Sequence, residues 1–288
     1  MTHGTTQDDA TPDLTGATAI VTGATGGVGL EIARGLSKLG ATVVLGVRDV
    51  ARGVAVADEL GHSATAMHLD VASVASIRSF VAEYERRFDG LQILVNNAGA
   101  WFSDRRESVD GHELTFATNV LGPYLLTELL TDALVAGERA RVINIVSSLA
   151  GDYDAMDLAY SRRKFDGFKA YAQSKQALRM LTWGAATRLQ GKGVTVNAAA
   201  PGFVRSNFNR NATGFTSTMI RVMSRLFAVT PAKGAHTPLW VATAPELEGV
   251  TGEYFDGGKQ KDGKFRDPAA IADLEARCAA LIAIRRAA

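Results

Sequence analysis

Short apolar runs alternate with stretches of helical spacing along almost the whole chain. Runs at residues 17–21, 41–47, 64–69, 91–95, 141–146 and 194–198 have the length and β-branched content of buried strands. Between them, apolar residues recur at three- and four-residue intervals over 28–39, 50–60, 74–88, 111–136 and 169–190. That spacing predicts helices, the fourth with an internal Gly122-Pro123. Residues 252–255 offer a seventh strand and 268–284 a closing helix. Alternation from end to end predicts an α/β fold with a doubly wound parallel sheet. No linker, repeat or shift in composition interrupts it, so residues 14–288 read as one domain. Residues 1–13 lack apolar periodicity and read as a flexible tail. Residues 203–235 lack strand character and mix Asn, Thr, Arg and Phe, which predicts a lid with a short helix near 215–228.

Composition narrows the class. Of 288 residues, 47% are hydrophobic and 21% charged, which excludes intrinsic disorder. The net charge of +1 argues against nucleic-acid binding, which needs a basic surplus. The one cysteine, Cys278, makes no internal disulfide and suits a reducing cytoplasm. Its helical spacing with Leu274 and Leu281 predicts a small buried apolar residue. No run of about 18 uncharged apolar residues predicts a membrane span, and the polar N-terminus shows no signal peptide. Five scattered histidines lack metal-ligand spacing, so no metal is expected. No G-x-S-x-G run supports a hydrolase.

The first strand runs into Thr22-Gly23-Ala24-Thr25-Gly26-Gly27-Val28-Gly29 and then a helix. Glycines allow a tight turn and close backbone approach, and the helix N-terminus offers free N–H groups to a pyrophosphate. This placement predicts a dinucleotide site of Rossmann type. The adjacent Gly26 and Gly27 fit two spacings, T-G-x-x-x-G-x-G and T-G-x-x-G-x-x-G. At the tip of the second strand an acid would take a ribose diol, whereas an arginine pairs with a 2′-phosphate. Val47 stands where the acid is expected and Arg48 follows, which favours NADPH. Asp49 is the competing reading, and Arg52 is a second phosphate candidate. Asp70 and Val71 end the third strand, where they would meet the adenine or lead into a helix cap. Asn97, Ala98 and Gly99 end the fourth, where small residues let the backbone come close to a cofactor.

Carbonyl reduction needs a hydride donor and an acid for the developing alkoxide. Tyr171 offers a phenol, and Lys175 lies one helical turn later on the same side. Its charge is expected to lower the phenol pKa. Tyr160 and Lys164 share the same four-residue spacing. Helix continuity selects Tyr171, because Phe165-Asp166-Gly167 stops a helix while Leu178, Leu181 and Ala185 continue one. Tyr160 then reads as an exposed aromatic in a basic loop.

The glycine turn, Asn96–Gly99, Asn119, Ser147-Ser148, Tyr171-x-x-x-Lys175 and Pro201-Gly202 stand in the order of the short-chain dehydrogenase/reductase family, compact type. The chain resembles that family from Leu14 to about Gly258. Gly46-Val47-Arg48-Asp49, Asp110-Gly111-His112-Glu113 and Thr251-Gly252-Glu253-Tyr254-Phe255 make it similar to the retinol-dehydrogenase-like group. The resemblance implies a catalytic set of Asn119, Ser148, Tyr171 and Lys175. Ser148 would donate to the substrate oxygen, Lys175 would also bind the nicotinamide ribose, and Asn119 would hold a water. It implies cofactor contacts at Gly23, Thr25, Gly26, Gly27, Val28, Gly29, Pro201, Gly202, Val204 and Ser206. The expected partner is a small carbonyl substrate, bulky and apolar, with Trp101, Phe102 and lid residues Phe203, Phe208, Phe215, Met219, Met223 and Phe227 near the pocket. The chain is also similar to bacterial ketoreductases that tailor aromatic polyketides, including anthracycline side-chain ketones, which implies antibiotic biosynthesis. Retinal and steroid ketones stay open, as does a non-catalytic NADPH sensor. Monomer and homodimer are equally compatible with the sequence.

Overall fold

The computed structural model describes residues 12–61, 63–202, 204 and 229–283. Seven strands run parallel: β1 (Thr18–Thr22), β2 (Thr42–Val47), β3 (Ala64–His68), β4 (Ile93–Asn96), β5 (Ala140–Ile145), β6 (Val194–Ala200) and β7 (Tyr254–Asp256). They lie in the order β3-β2-β1-β4-β5-β6-β7. An eighth strand, β8 (Lys259–Lys261), closes the edge antiparallel to β7, so the doubly wound sheet is parallel apart from this short edge strand. The central strands are apolar because both faces are covered. Ala19, Ile20 and Val21 of β1 are completely buried. Ile20, Val44 and Leu94 point into one apolar layer, and Val21, Val43 and Val95 into the other.

The helices that cover the sheet are α1 (Gly27–Lys38), α2 (Val50–Leu60) and α3 (Val74–Glu85), then α4 (Leu114–Phe116), α5 (Gly122–Leu129) and α6 (Thr131–Ala136). They continue with α7 (Gly167–Arg188), α8 (Pro231–Thr243) and α9 (Pro268–Ala283). The order of strands reverses between β1 and β4. In such sheets ligands bind in the crevice at the carboxyl ends of the strands on either side of that reversal.

Three expectations need correction. The helix expected over 111–136 is not continuous. Glu113 caps its start, accepting from the N–H groups of Thr115 and Phe116 at 2.8 and 2.7 Å. A π turn at Ala117–Leu121 follows, and the path breaks again between α5 and α6 at Leu130. Secondly, the last part of the expected lid, from Pro231, belongs to α8, which Thr230 caps. Phe203 and residues 205–228, with the short helix expected there, lie outside the described residues. Thirdly, Tyr160 is buried, not exposed, at 4% of its surface. The Arg163 guanidinium stacks over its ring at 4.0 Å, and Phe165 meets it edge-on.

Helix α7 is enclosed on nearly all sides. Its Ala177, Met180, Leu181 and Trp183 pack with Ile271, Leu274 and Cys278 of α9. Gln173 pins the preceding loop by donating to the carbonyls of Asp157 and Leu158, each at 3.1 Å. Cys278 is the buried apolar residue expected, and burial pushes its thiol up to about 12.

Close approach of α5 to the end of β3 depends on Gly122. A Cβ there would lie 2.2 Å from the Val71 carbonyl oxygen. Gly122→Ala is expected to destabilise the fold by about 1–3 kcal/mol, less the small gain in helix propensity. Chemical denaturation would measure it, and a midpoint as high as the parent's would refute the tight contact.

Candidate active site

Helix α1 begins without any side-chain cap and with no acidic residue in its first turn. Its N-terminal N–H groups are therefore available to an anion. The glycines before it have geometric reasons to be glycine. Gly23 and Gly27 have φ of +67° and +61°, which favour glycine. A Cβ on Gly29 would lie 2.3 Å from Asn97 Nδ2 and 2.8 Å from the Gly23 carbonyl. Asn97 closes this turn by donating to the Thr22 carbonyl at 2.8 Å. The Thr22 hydroxyl accepts from the N–H groups of Asn97 and Ala98 at 3.0 and 2.9 Å. The ends of β1 and β4 are thereby locked together under the cradle. Its small residues and free N–H groups fit a pyrophosphate.

At the tip of β2, Arg48 and Arg52 are exposed. Arg52 Nη2 lies 3.4 Å from where a Gly26 Cβ would stand, so this cation hangs beside the glycine turn. Asp49 turns Oδ1 to the start of the next helix. It caps α2, accepting from the Arg52 N–H at 3.0 Å. Asp70 likewise turns its own loop, accepting from the Ala72 N–H at 3.0 Å, while Ser73 caps α3. Val71 is buried against Gly122. On the other side of the cleft, Pro201 and Gly202 follow β6, and Val204 bridges to Val229. Gly234 of α8 packs where a Cβ would meet Val204, Pro201 and Val28, which draws this turn toward the glycine cradle. Ser206 lies outside the described residues.

Tyr171 and Lys175 project from the N-terminal half of α7, whose start Asp166 caps through the N–H groups of Phe168 and Lys169. They are 8% and 3% exposed. Lys175 Nζ donates to the Ile145 carbonyl at 2.8 Å and lies 5.9 Å from the Tyr171 ring centroid. Gly99 lets a second wall approach, because a Cβ there would be 3.3 Å from Lys175 Nζ and 3.4 Å from Asn119 Oδ1. Asn119 sits in the π turn, a form frequent at functional sites. Its amide exchanges hydrogen bonds with the Ala100 backbone at 2.8 and 2.9 Å and donates to Ser174 Oγ at 2.9 Å.

The serine that meets Tyr171 is Ser147, by a hydrogen bond between the side chains. Ser148, the choice from the family pattern, is exposed one residue further on. Burial pushes the Tyr171 phenol up to about 12, and the Ser147 hydrogen bond opposes this. Burial pulls the Lys175 ammonium down to about 8. The sequence predicts a phenol lowered by its lysine, whereas here burial raises it and the Ser147 hydrogen bond is what opposes the rise. The arrangement keeps a protonated phenol at neutral pH, which suits a proton donor. The rival pair is not built for this. Tyr160 has φ +50°, and no helix carries it and Lys164 on one face. Arg179, buried behind the serine segment, had no signal in the spacing of motifs.

The chain matches the short chain dehydrogenase model over residues 17–215. It belongs to the short-chain dehydrogenase/reductase family. Among curated proteins it is 39% identical to human (Homo sapiens) retinol dehydrogenase 13 over 272 residues, 91% of this chain and 82% of that protein. It is also 39% identical to mouse (Mus musculus) polyprenol dehydrogenase, covering 85% of this chain and 76% of that protein. Among solved structures, a gluconate 5-dehydrogenase from Burkholderia cenocepacia in complex with NADP and tartrate superposes with a TM-score of 0.66 at 25% identity. That match covers 85% of this chain and 94% of the other. The protein is thus an oxidoreductase of alcohol and carbonyl groups with a nicotinamide cofactor.

Gly29→Ala tests the cradle. The new methyl has no room beside Asn97, so binding of the reduced nicotinamide cofactor is expected to weaken by about tenfold or more. Titration of the nicotinamide fluorescence would read this, and parent-like affinity would contradict the cradle.

Proposed function

We propose that the protein is an NADPH-dependent carbonyl reductase acting on a bulky, apolar ketone or aldehyde. The observation that carries this reading is the buried Tyr171 phenol, held between Ser147 and a buried Lys175 at the carboxyl end of β5. A bound nicotinamide supplies the hydride. The glycine turn and α1 hold its pyrophosphate, and Asn97, Ala98, Gly99, Pro201, Gly202 and Val204 line its path. Tyr171 gives its proton to the oxygen as negative charge builds there. Ser148, exposed beside Ser147, donates a second hydrogen bond to that oxygen. Lys175 keeps positive charge behind the phenol, so that the tyrosinate left after transfer is stabilised. Asn119 holds the wall through which Lys175 regains contact with solvent.

Arg48, exposed at the tip of β2, and Arg52, beside the glycine turn, support a reading with the 2′-phosphate of NADPH. Asp49 uses one carboxylate oxygen in the α2 cap, which weakens its claim as the acceptor for a ribose diol. Trp101 and Phe102, both nearly buried, supply apolar lining, and Leu149 and Phe168 are exposed apolar residues beside Ser148 and at the start of α7. The relatives named for retinol and polyprenol favour a long isoprenoid alcohol or aldehyde over the polyketide ketone of the sequence resemblance. A buried, inert cysteine suits a cytoplasmic setting.

The test is product formation with NADPH on retinal, a polyprenal, a steroid ketone and an anthracycline side-chain ketone. A mass gain of two hydrogens on one of them is expected. NADPH binding without product on any would favour a sensor. Arg48→Ala is expected to weaken NADPH by about tenfold and leave NADH within about twofold, as removal of one charge-assisted contact would do. Equal losses would refute the phosphate role. Reduction is expected to fall as pH rises through about 8, where Lys175 loses its proton while Tyr171 keeps its own. A flat profile from pH 6 to 10 would refute the lysine's role.

A further inference from the structure

Arg179 lies one turn beyond Lys175 on α7 and is only 6% exposed. Its Nη2 donates to the Ser147 carbonyl at 2.6 Å. Its guanidinium carbon stacks 3.9 Å from the centroid of the Tyr254 ring on β7. Tyr254 is fixed in turn, its hydroxyl donating to Asp256 Oδ2 at 3.0 Å. Arg179 takes part in no ion pair among the described residues, and its Nε is buried without a partner there. Asp256 acts on its charge only through space, and a guanidinium so buried without a direct ion pair is costly. Methionine would fill the same space against Tyr254 without that cost. What arginine adds is a donor of fixed direction.

The group it holds is adjacent to the chemistry. The Ser147 carbonyl also accepts from the Ala150 N–H at 3.1 Å, and the Ser147 hydroxyl oxygen accepts from the Leu149 N–H at 3.1 Å. With the residue gripped at carbonyl and side chain, the hydroxyl hydrogen is left to donate toward Tyr171. We propose that Arg179 is a positioning residue of the reaction, anchoring the Ser147 carbonyl between α7 and β7 so that the Ser147 hydroxyl holds Tyr171 in line. The role rests on the reading of Tyr171 as proton donor.

Arg179→Met keeps the volume and removes the donor. Amide hydrogen exchange in the peptide containing Leu149 and Ala150 is expected to quicken by about tenfold or more, since the turn loses its anchor. With retinal and NADPH, kcat is expected to fall by about tenfold or more through misplacement of the acid. KM and the NADPH Kd are expected to stay within about twofold, and the melting temperature is not expected to fall. Arg179→Lys keeps a donor to the same carbonyl and should restore part of both exchange protection and kcat. Unchanged exchange in Arg179→Met overturns the proposal, with or without turnover of retinal. So does a kcat loss that follows a fall in melting temperature and is not rescued by lysine. If Arg179→Met fails to fold, Tyr254→Leu removes the ring beneath the guanidinium, and the same exchange and kcat pattern is expected. Parent-like values there overturn the proposal. Tyr171→Phe separates the two levels. A fully active Tyr171→Phe overturns the reading of the site, and this role with it. An inactive Tyr171→Phe beside an unaffected Arg179→Met overturns the role of Arg179 alone.

Discussion

The contact on which the active site depends is the hydrogen bond from Lys175 to the Ile145 carbonyl at the end of β5. An ammonium is expensive to remove from water, and one carbonyl only partly offsets the cost. Helix α7 accepts that cost because it is enclosed on its other sides by α9, the loop pinned by Gln173, and the sheet. The enclosure leaves α7 little freedom to turn about its axis. Tyr171, one turn earlier, is consequently held buried beside Ser147, where its phenol stays protonated.

The second half of the site is built by tying strand ends together. Thr22 and Asn97 join β1 to β4 beneath the glycine turn. Asn96 and Asn144, opposite each other in the β4–β5 register, join the next pair by a hydrogen bond of 2.8 Å. Asn119 then joins the loop after β4 to α7 through Ala100 and Ser174. The glycine turn and the α7 turn that carries Tyr171 are therefore linked through one chain of hydrogen bonds. Hydride and proton must reach neighbouring atoms, so their relative placement matters more than either site alone.

Much of this was legible in the sequence because strong periodicity and small residues leave clear marks. The strands of the parallel sheet and the run of α2 over Val50–Leu60 follow directly from apolar spacing. The features that escaped share a physical reason. Helix α8 holds Pro231, Gly234 and Pro238, so local propensity argues against a helix that packing on α1 and the sheet enforces. Strand β8 is Lys-Gln-Lys at an edge, too short and polar to show a buried pattern. The π turn in the long helical stretch comes just before Gly122-Pro123, and Pro123 lacks an N–H for regular helix bonding. Tyr160 looked exposed because its neighbours are basic, yet Arg163 is what covers it. Burial of the whole α7 turn set the direction of the Tyr171 shift, and burial cannot be read from a four-residue motif. The contact of Ser147 with Tyr171, one residue before the family's expected serine, is likewise a matter of loop geometry.

The most direct test of the account is deuterium transfer from NADPH labelled at the nicotinamide C4 to retinal, in the parent and in Tyr171→Phe. The account predicts one deuterium on the product carbinol carbon with the parent, and no product with Tyr171→Phe although NADPH still binds. Equal deuterium transfer by both chains would contradict the claim that the buried Tyr171 is the proton donor.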